Sequence, residues 1–178
     1  MHWAFRMKHP DALRLGPLVF RDPVLLCGSL YFLLYFDASG FLRLGLLAAF
    51  LHECGHILVY CALLRRFPVI EVTMTGFCMR TAGERLSPRQ RLVLAAAGPA
   101  VNFALAGVWA VRLAQAATIR GSAFWAANLL TGLFNLLPIP PLDGAQMAAC
   151  AGALWQQKHG KYAQTAGNDC KTGTFGVK

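Results

Sequence analysis

Residues 41–64 read FLRLGLLAAFLHECGHILVYCALL, an apolar stretch long enough to span a membrane as a helix, yet it contains His-Glu-Cys-Gly-His at positions 52–56. On a helix, His52 and His56 fall on one face about one turn apart, so both imidazoles can reach a single tetrahedral Zn²⁺. In motifs of this kind the Glu, here Glu53, is the general base that takes a proton from the attacking water. The stretch therefore predicts a helix that carries two metal ligands and a base.

Such a short motif also occurs by chance, with its histidines as packed or capping residues. Its place in an apolar segment favours the metal site, because ionisable side chains at bilayer depth are costly unless they face a bundle interior or a water-filled site. Cys54 occupies a free position of the motif, but its helical angle points it away from the histidine face. We therefore do not predict it as a ligand.

Composition indicates an integral membrane protein. The chain has 178 residues, of which 56% are hydrophobic, and its mean hydropathy is +0.46. This is more apolar surface than a soluble protein of this length can bury in one core. Lys and Arg number 17 against 8 acids, but they cluster between the apolar runs, as in cytoplasmic loops. We expect no nucleic-acid partner. The six cysteines form no close Cys-x-x-Cys pair and are interpreted as small buried residues.

The apolar runs predict an all-α polytopic membrane protein with about four transmembrane helices. We expect these helices over 23–36, 41–64, 92–113 and 122–137. The first is short for a bilayer unless residues 16–20 extend it, and a cleaved signal peptide within residues 1–40 is the alternative. Alternating β-branched residues over 69–79 predict a short membrane-associated β-hairpin between helices 2 and 3. Prolines over 138–141 end the fourth helix, so residues 142–155 form either the rest of that crossing or a half helix.

Three regions follow from this pattern: a cytoplasmic N-terminal arm (1–22), a membrane-embedded core (23–155) and a flexible polar tail (156–178). The arginine-rich segment 65–91 is expected inside and the 114–121 loop outside. The helix with the histidines therefore runs toward the cytoplasm, and its site opens on the cytoplasmic half.

A catalytic zinc usually has three protein ligands, so the two histidines need a partner. Asp143 is the only acidic residue in the apolar second half before the tail, and it directly follows the proline-broken segment. From the residues alone, Asp143 is either a ligand presented by the broken backbone or an ordinary cap of the following helix.

Three motifs in order resemble the site-2 protease family of intramembrane zinc metalloproteases, over about residues 41–150. They are His52-Glu53-x-x-His56, Gly98-Pro99-x-x-Asn102, and Asn-x-x-Pro-x-Pro-x-Leu-Asp-Gly at 135–144. The chain is most similar to the compact bacterial branch that includes the sporulation protease activating a sigma-factor precursor, because it has no PDZ-like insert.

The resemblance implies that His52, His56 and Asp143 are the zinc ligands and that Glu53 is the catalytic base. It implies that Asn135 orients substrate or stabilises the developing oxyanion. Asn102 would do the same from the third helix or hydrogen-bond across helices, and we favour the second role. The chain departs from the family where Ala145 replaces a common Gly, and it ends soon after the last motif.

The resemblance also implies a zinc metalloendopeptidase of regulated intramembrane proteolysis, multi-pass in a bacterial cell membrane. Its expected partners are a membrane-protein substrate with a transmembrane segment, the lipid bilayer, and inhibitory or regulatory membrane proteins. A catalytically inactive zinc-binding membrane protein with a regulatory role is the alternative. A structural membrane protein with accidental motifs is the third hypothesis.

Overall fold

The computed structural model describes residues 13–73, 76–80 and 86–169, so most of the predicted arm and the end of the predicted tail lie outside the described residues. The described part contains five helices and four strands. The helices are α1 (Pro23–Tyr35), α2 (Phe41–Leu64), α3 (Pro88–Gln115), α4 (Ile119–Asn135) and α5 (Asp143–Asp169). The strands are β1 (Leu13–Leu15), β2 (Leu18–Phe20), β3 (Val69–Thr73) and β4 (Gly76–Arg80).

Among the described helices, α2 and α3 are long and apolar enough to cross a membrane. Helix α1 is apolar but has 13 residues, and α4 has 17, fewer than the roughly 20 that a straight crossing needs. The expectation of about four crossings therefore stays a prediction.

The strands form one sheet in the order β1-β2-β3-β4. The predicted hairpin is present as the antiparallel pair β3 and β4. The N-terminal segment adds a second hairpin, and its strand β2 runs parallel to β3 with Leu18 opposite Ile70. The fold is therefore mostly helical, as predicted, and the predicted hairpin is part of a larger, four-stranded sheet.

Strand β2 replaces the helical extension that we considered for residues 16–20. The Arg21 backbone N–H donates to the Val72 carbonyl at 2.9 Å, and the Arg21 guanidinium pairs with Glu71 at 3.1 Å. Parallel pairing joins segments about 50 residues apart, so its contribution is invisible in a local sequence pattern.

Helix α3 packs against α2, α4 and α5. It begins with a capping box, in which the Ser87 hydroxyl accepts from the Gln90 backbone and the Gln90 side chain accepts from the Ser87 backbone. Small residues bring α3 close to α2: a Cβ on Gly55 would lie only 2.8 Å from the Ala97 carbonyl oxygen. Such close backbone approach is how apolar helices associate in membranes, where no hydrophobic force drives them together.

The turn between α1 and α2 is organised by Asp37. Its carboxylate accepts hydrogen bonds from the Arg43 backbone N–H at 3.1 Å and from the Ser39 hydroxyl at 3.0 Å. Desolvation acts to raise the pKa of Asp37, but these bonds and others from backbone N–H groups outweigh it and hold the pKa below its ordinary value. Asp37 thus satisfies donors at the start of α2 that the helix itself leaves unpaired.

The proline segment separates α4 from α5, and α5 begins at Asp143 as a helix of its own. It continues through Asp169, past residue 155, where we expected a flexible tail to begin. The first part of α5 corresponds to the half helix considered for residues 142–155, but its extension beyond residue 155 is polar and was not visible as an apolar run.

Candidate metal centre

Three side chains from α2 and the start of α5 converge at one point. The Nε2 atoms of His52 and His56 lie 2.9 Å and 3.1 Å from the same oxygen, Oδ2 of Asp143, and 3.1 Å from each other. Asp143 lies 91 residues from His52 along the chain, so tertiary packing brings them together.

The triangle has the size of one face of a zinc coordination sphere. Tetrahedral Zn²⁺ with ligand distances of about 2.0–2.1 Å separates neighbouring ligand atoms by about 3.3 Å. The observed separations of 2.9–3.1 Å are slightly shorter and would open a little around an ion. Two imidazoles and one carboxylate also match the donor set of known catalytic zinc sites. The residues therefore fit a zinc ion with a fourth position left open.

The orientation of His56 suits this role. Its Nδ1–H donates to the Leu94 carbonyl of α3 at 2.8 Å, so Nε2 carries the lone pair. His56 is 7% exposed and His52 is 3% exposed, so both imidazoles are held in a packed interior, where their geometry is defined before an ion arrives.

Two glycines make room for the cluster. A Cβ on Gly98 of α3 would overlap the Nε2 atoms of both histidines, and a Cβ on Gly144 would overlap the Leu136 carbonyl. Gly98 lets α3 cover the histidines, and Gly144 lets the start of α5 seat against the end of α4. Both glycines stood in the sequence motifs, but only the structure shows that they provide clearance.

Glu53 lies in the same turn of α2 but faces the sheet. It lines a cavity of about 90 Å³ between α2 and strands β2–β4. The other lining residues are Leu18, Phe50, Cys54, Ile57, Ile70 and Met79. The sheet thus covers the surface that carries the predicted base, and Cys54 lies outside the cluster of possible ligands, as its helical angle predicts.

The two predicted asparagines occupy different places. Asn135 is half-buried at the end of α4, and its Nδ2 donates to the Thr131 carbonyl at 3.0 Å. Asn102 is fully buried in α3 against Gly132 of α4, which suits an interhelical role. Their suggested contacts with substrate stay predictions.

A third asparagine escaped the sequence analysis. Asn128 of α4 is also fully buried, and its Nδ2 donates to the Phe124 carbonyl at 2.9 Å. A carboxamide within an apolar helix was the signal that could have identified it.

A scan against protein-family profiles finds no match. Two curated relatives, both named "Putative zinc metalloprotease Rip3" and from two strains of Mycobacterium tuberculosis, are 39% identical over 140 residues. The alignment covers 73% of this chain and 34% of each relative, so the chain spans about a third of the length of the curated relatives it matches.

A solved structure, "Site-2 Protease from Methanocaldococcus jannaschii", has the same fold with a TM-score of 0.55 at 22% identity. The match covers 83% of this chain and 73% of that one. On the sequence likeness and the shared fold together, the chain belongs to the site-2 protease family.

Proposed function

We propose that this chain is a zinc metalloendopeptidase that cuts peptide bonds in or near the transmembrane segments of membrane-protein substrates. The observation that carries the proposal is the convergence of His52, His56 and Asp143 on one point, with Glu53 in the same helical turn. Metal binding alone does not require that glutamate. Membership of the family and the two apolar helices support the same conclusion.

His52, His56 and Asp143 would hold the ion. When bound, zinc supplies Lewis-acid polarisation of the scissile carbonyl and lowers the pKa of a coordinated water. The protein contributes the rest: Glu53 takes the proton from the attacking water and passes it to the leaving amine. The half-buried Asn135 would place its amide toward the developing oxyanion, once its side chain turns from the Thr131 carbonyl.

An intact helix hides its carbonyls, so a substrate segment must unwind before it is cut. In the sheet order, β4 is an edge strand, and Met79 of β4 lines the Glu53 cavity. We infer that the unwound substrate pairs with the 69–80 hairpin as an added strand, which would bring its backbone beside Glu53.

The setting we propose is multi-pass in a bacterial cell membrane, with the active site toward the cytoplasm. The arginines after α2 and before α3 support this orientation. The partners would be a substrate with a transmembrane segment, the surrounding bilayer, and inhibitory or regulatory membrane proteins.

Glu53→Gln tests the proposal. The amide keeps the shape of the side chain but cannot take a proton, so we expect zinc content to stay at the wild-type level while cleavage falls by about 10²–10⁴-fold. The assay is co-expression of either form with candidate single-span membrane proteins, together with metal analysis of the purified chain.

Each other outcome favours a rival. Zinc at full stoichiometry with no cleavage by either form supports the inactive zinc-binding protein. Zinc near zero under non-chelating conditions supports the structural protein with accidental motifs. Equal cleavage by both forms contradicts the role of Glu53.

A further inference from the structure

Three buried polar side chains have nitrogen or oxygen atoms with no hydrogen-bond partner in the described part of the chain. They are Nδ1 of His52, both amide atoms of Asn102, and Oδ1 of Asn128. Asn102 and Asn128 are 0% exposed and His52 is 3% exposed. An unpaired buried polar atom costs about 1–3 kcal/mol, so three neighbouring side chains with unpaired atoms point to a shared network.

Helix packing places the three side chains in a row. Gly98 lies directly against the His52 ring, and Asn102 follows Gly98 by one turn on the same face of α3. A Cβ on Gly132 of α4 would lie 3.4 Å from the Asn102 Cβ, and Asn128 precedes Gly132 by one turn on the same face of α4. Asn102 therefore lies one helical turn from the point where α3 meets the His52 ring, and it packs against α4 one turn from Asn128.

The direction of the hydrogen bonds is set at both ends of the row. The Asn128 Nδ2 already donates to the Phe124 carbonyl at 2.9 Å, which leaves its Oδ1 to accept. At the other end, Nε2 of His52 faces Asp143, so a neutral ring that binds metal through Nε2 must carry its proton on Nδ1 and donate there. The amide of Asn102 has one acceptor and one donor group to join these two ends.

We propose that Asn102 and Asn128 are positioning residues that hold His52 in the tautomer that binds metal. The His52 Nδ1–H donates to Asn102 Oδ1, and Asn102 Nδ2 donates to Asn128 Oδ1, each through one bridging water or after a small turn of the side chains, because these atoms are unpaired in this structure. The chain of bonds then ends on the Phe124 carbonyl. It does for His52 what the Leu94 carbonyl does for His56. The inference rests on the proposed zinc site, and its test reads the His52 ring and the zinc affinity, not cleavage.

The test uses Asn102→Leu, which keeps the size of the side chain and removes both polar groups. Nitrogen NMR of ¹⁵N-histidine-labelled, zinc-loaded protein reports the Nδ1–H group of His52, with the His52 signals assigned from a His52→Gln sample. We expect this N–H to be hydrogen-bonded and slow to exchange with solvent in the wild type, and to exchange faster in the variant. We also expect zinc affinity, measured by competition with a chelator, to fall by about 10–100-fold.

Thr131→Val is the matched control, an isosteric loss of a polar group on α4 outside the row, and it should change neither quantity. Asn128→Leu gives a second, independent variant if Asn102→Leu does not fold, and it should speed the exchange of the His52 Nδ1–H less strongly. Combining the two asparagine variants should weaken zinc binding no further than Asn102→Leu alone, because both break one chain of bonds.

A folded Asn102→Leu or Asn128→Leu protein in which the His52 Nδ1–H exchanges as slowly as in the wild type overturns the inference. So does a loss of thermal stability with unchanged zinc affinity, which is what a merely structural role would give. A zinc-loaded wild type with a protected His52 Nδ1–H but no cleavage of any substrate upholds the hydrogen-bonded chain, and only the proposed function fails.

Discussion

Gly98→Ala is expected to weaken zinc binding while leaving the metal-free fold largely intact. The added methyl group would lie 2.7 Å from His52 Cε1 and would overlap Nε2 of both histidines. Ordinary contact begins near 3.4 Å, so α3 and the rings must separate by at least about 0.7 Å. In the metal-free protein α3 and the rings can each shift slightly to make this room, but with zinc bound the rings are also fixed by coordination, so the strain is larger.

Overpacking of this kind costs about 1–3 kcal/mol, which corresponds to a loss of about 5–150-fold in zinc affinity. Zinc at 100 times the wild-type Kd should raise the free energy of unfolding of the wild type by about 2.7 kcal/mol, but that of a variant 100-fold weaker by only about 0.4 kcal/mol. The assay is chelator competition together with thermal unfolding, with and without zinc.

Gly107→Ala is the matched control on the same helix. A Cβ there meets nothing within 4 Å, and replacing a mid-helix glycine by alanine stabilises by about 0.5–1 kcal/mol. Zinc affinity at the wild-type level in Gly98→Ala would refute the reasoning that this glycine provides clearance for the ligands.

The structure supports two further predictions. Gly144→Ala should weaken zinc binding by about tenfold or more, because its Cβ would overlap the Leu136 carbonyl and displace the start of α5. Gly152→Ala is the control and should leave zinc affinity unchanged, because a Cβ there meets nothing within 4 Å. Equal zinc affinities of the two variants in chelator competition would contradict the prediction. The lowered pKa of Asp37 implies a contribution to stability that is complete above its ordinary value of 3.8 and is lost as the pH falls through the lower pKa of the folded protein. Asp37→Asn removes the titrating group but keeps an oxygen that can accept from the Arg43 N–H, so it should remove that pH dependence of unfolding between about pH 5 and pH 2. An unchanged acid profile would show that the carboxylate is not responsible.

Local patterns predicted the parts of this protein that depend on local geometry. The spacing of His52 and His56 puts them on one face wherever that segment is helical. The alternating residues of 69–79 form the hairpin β3–β4, and the prolines after Asn135 end α4. Each of these features depends on residues within a few positions of one another.

The pairing of β2 with β3 and the length of α5 were not predicted. The first joins Leu18 to Ile70, and the stability of that pairing depends on two segments that are far apart in the sequence. The second depends on a helix of mixed polarity, whose apolar pattern is too weak to outline it.

The same division holds at the candidate metal centre. The sequence by itself determined that one apolar helix presents two imidazoles and a glutamate, because helical periodicity is a property of the backbone. The sequence alone left open whether Asp143 is a metal ligand or a helix cap. Only the tertiary structure decided that the Asp143 carboxylate lies within 3.1 Å of both histidines, that Gly98 is where α3 can approach them, and that Asn102 and Asn128 are fully buried. Those contacts depend on how α2, α3, α4 and α5 pack. Their packing is set by the close contacts and the buried hydrogen bonds of all four helices together, which no single segment determines.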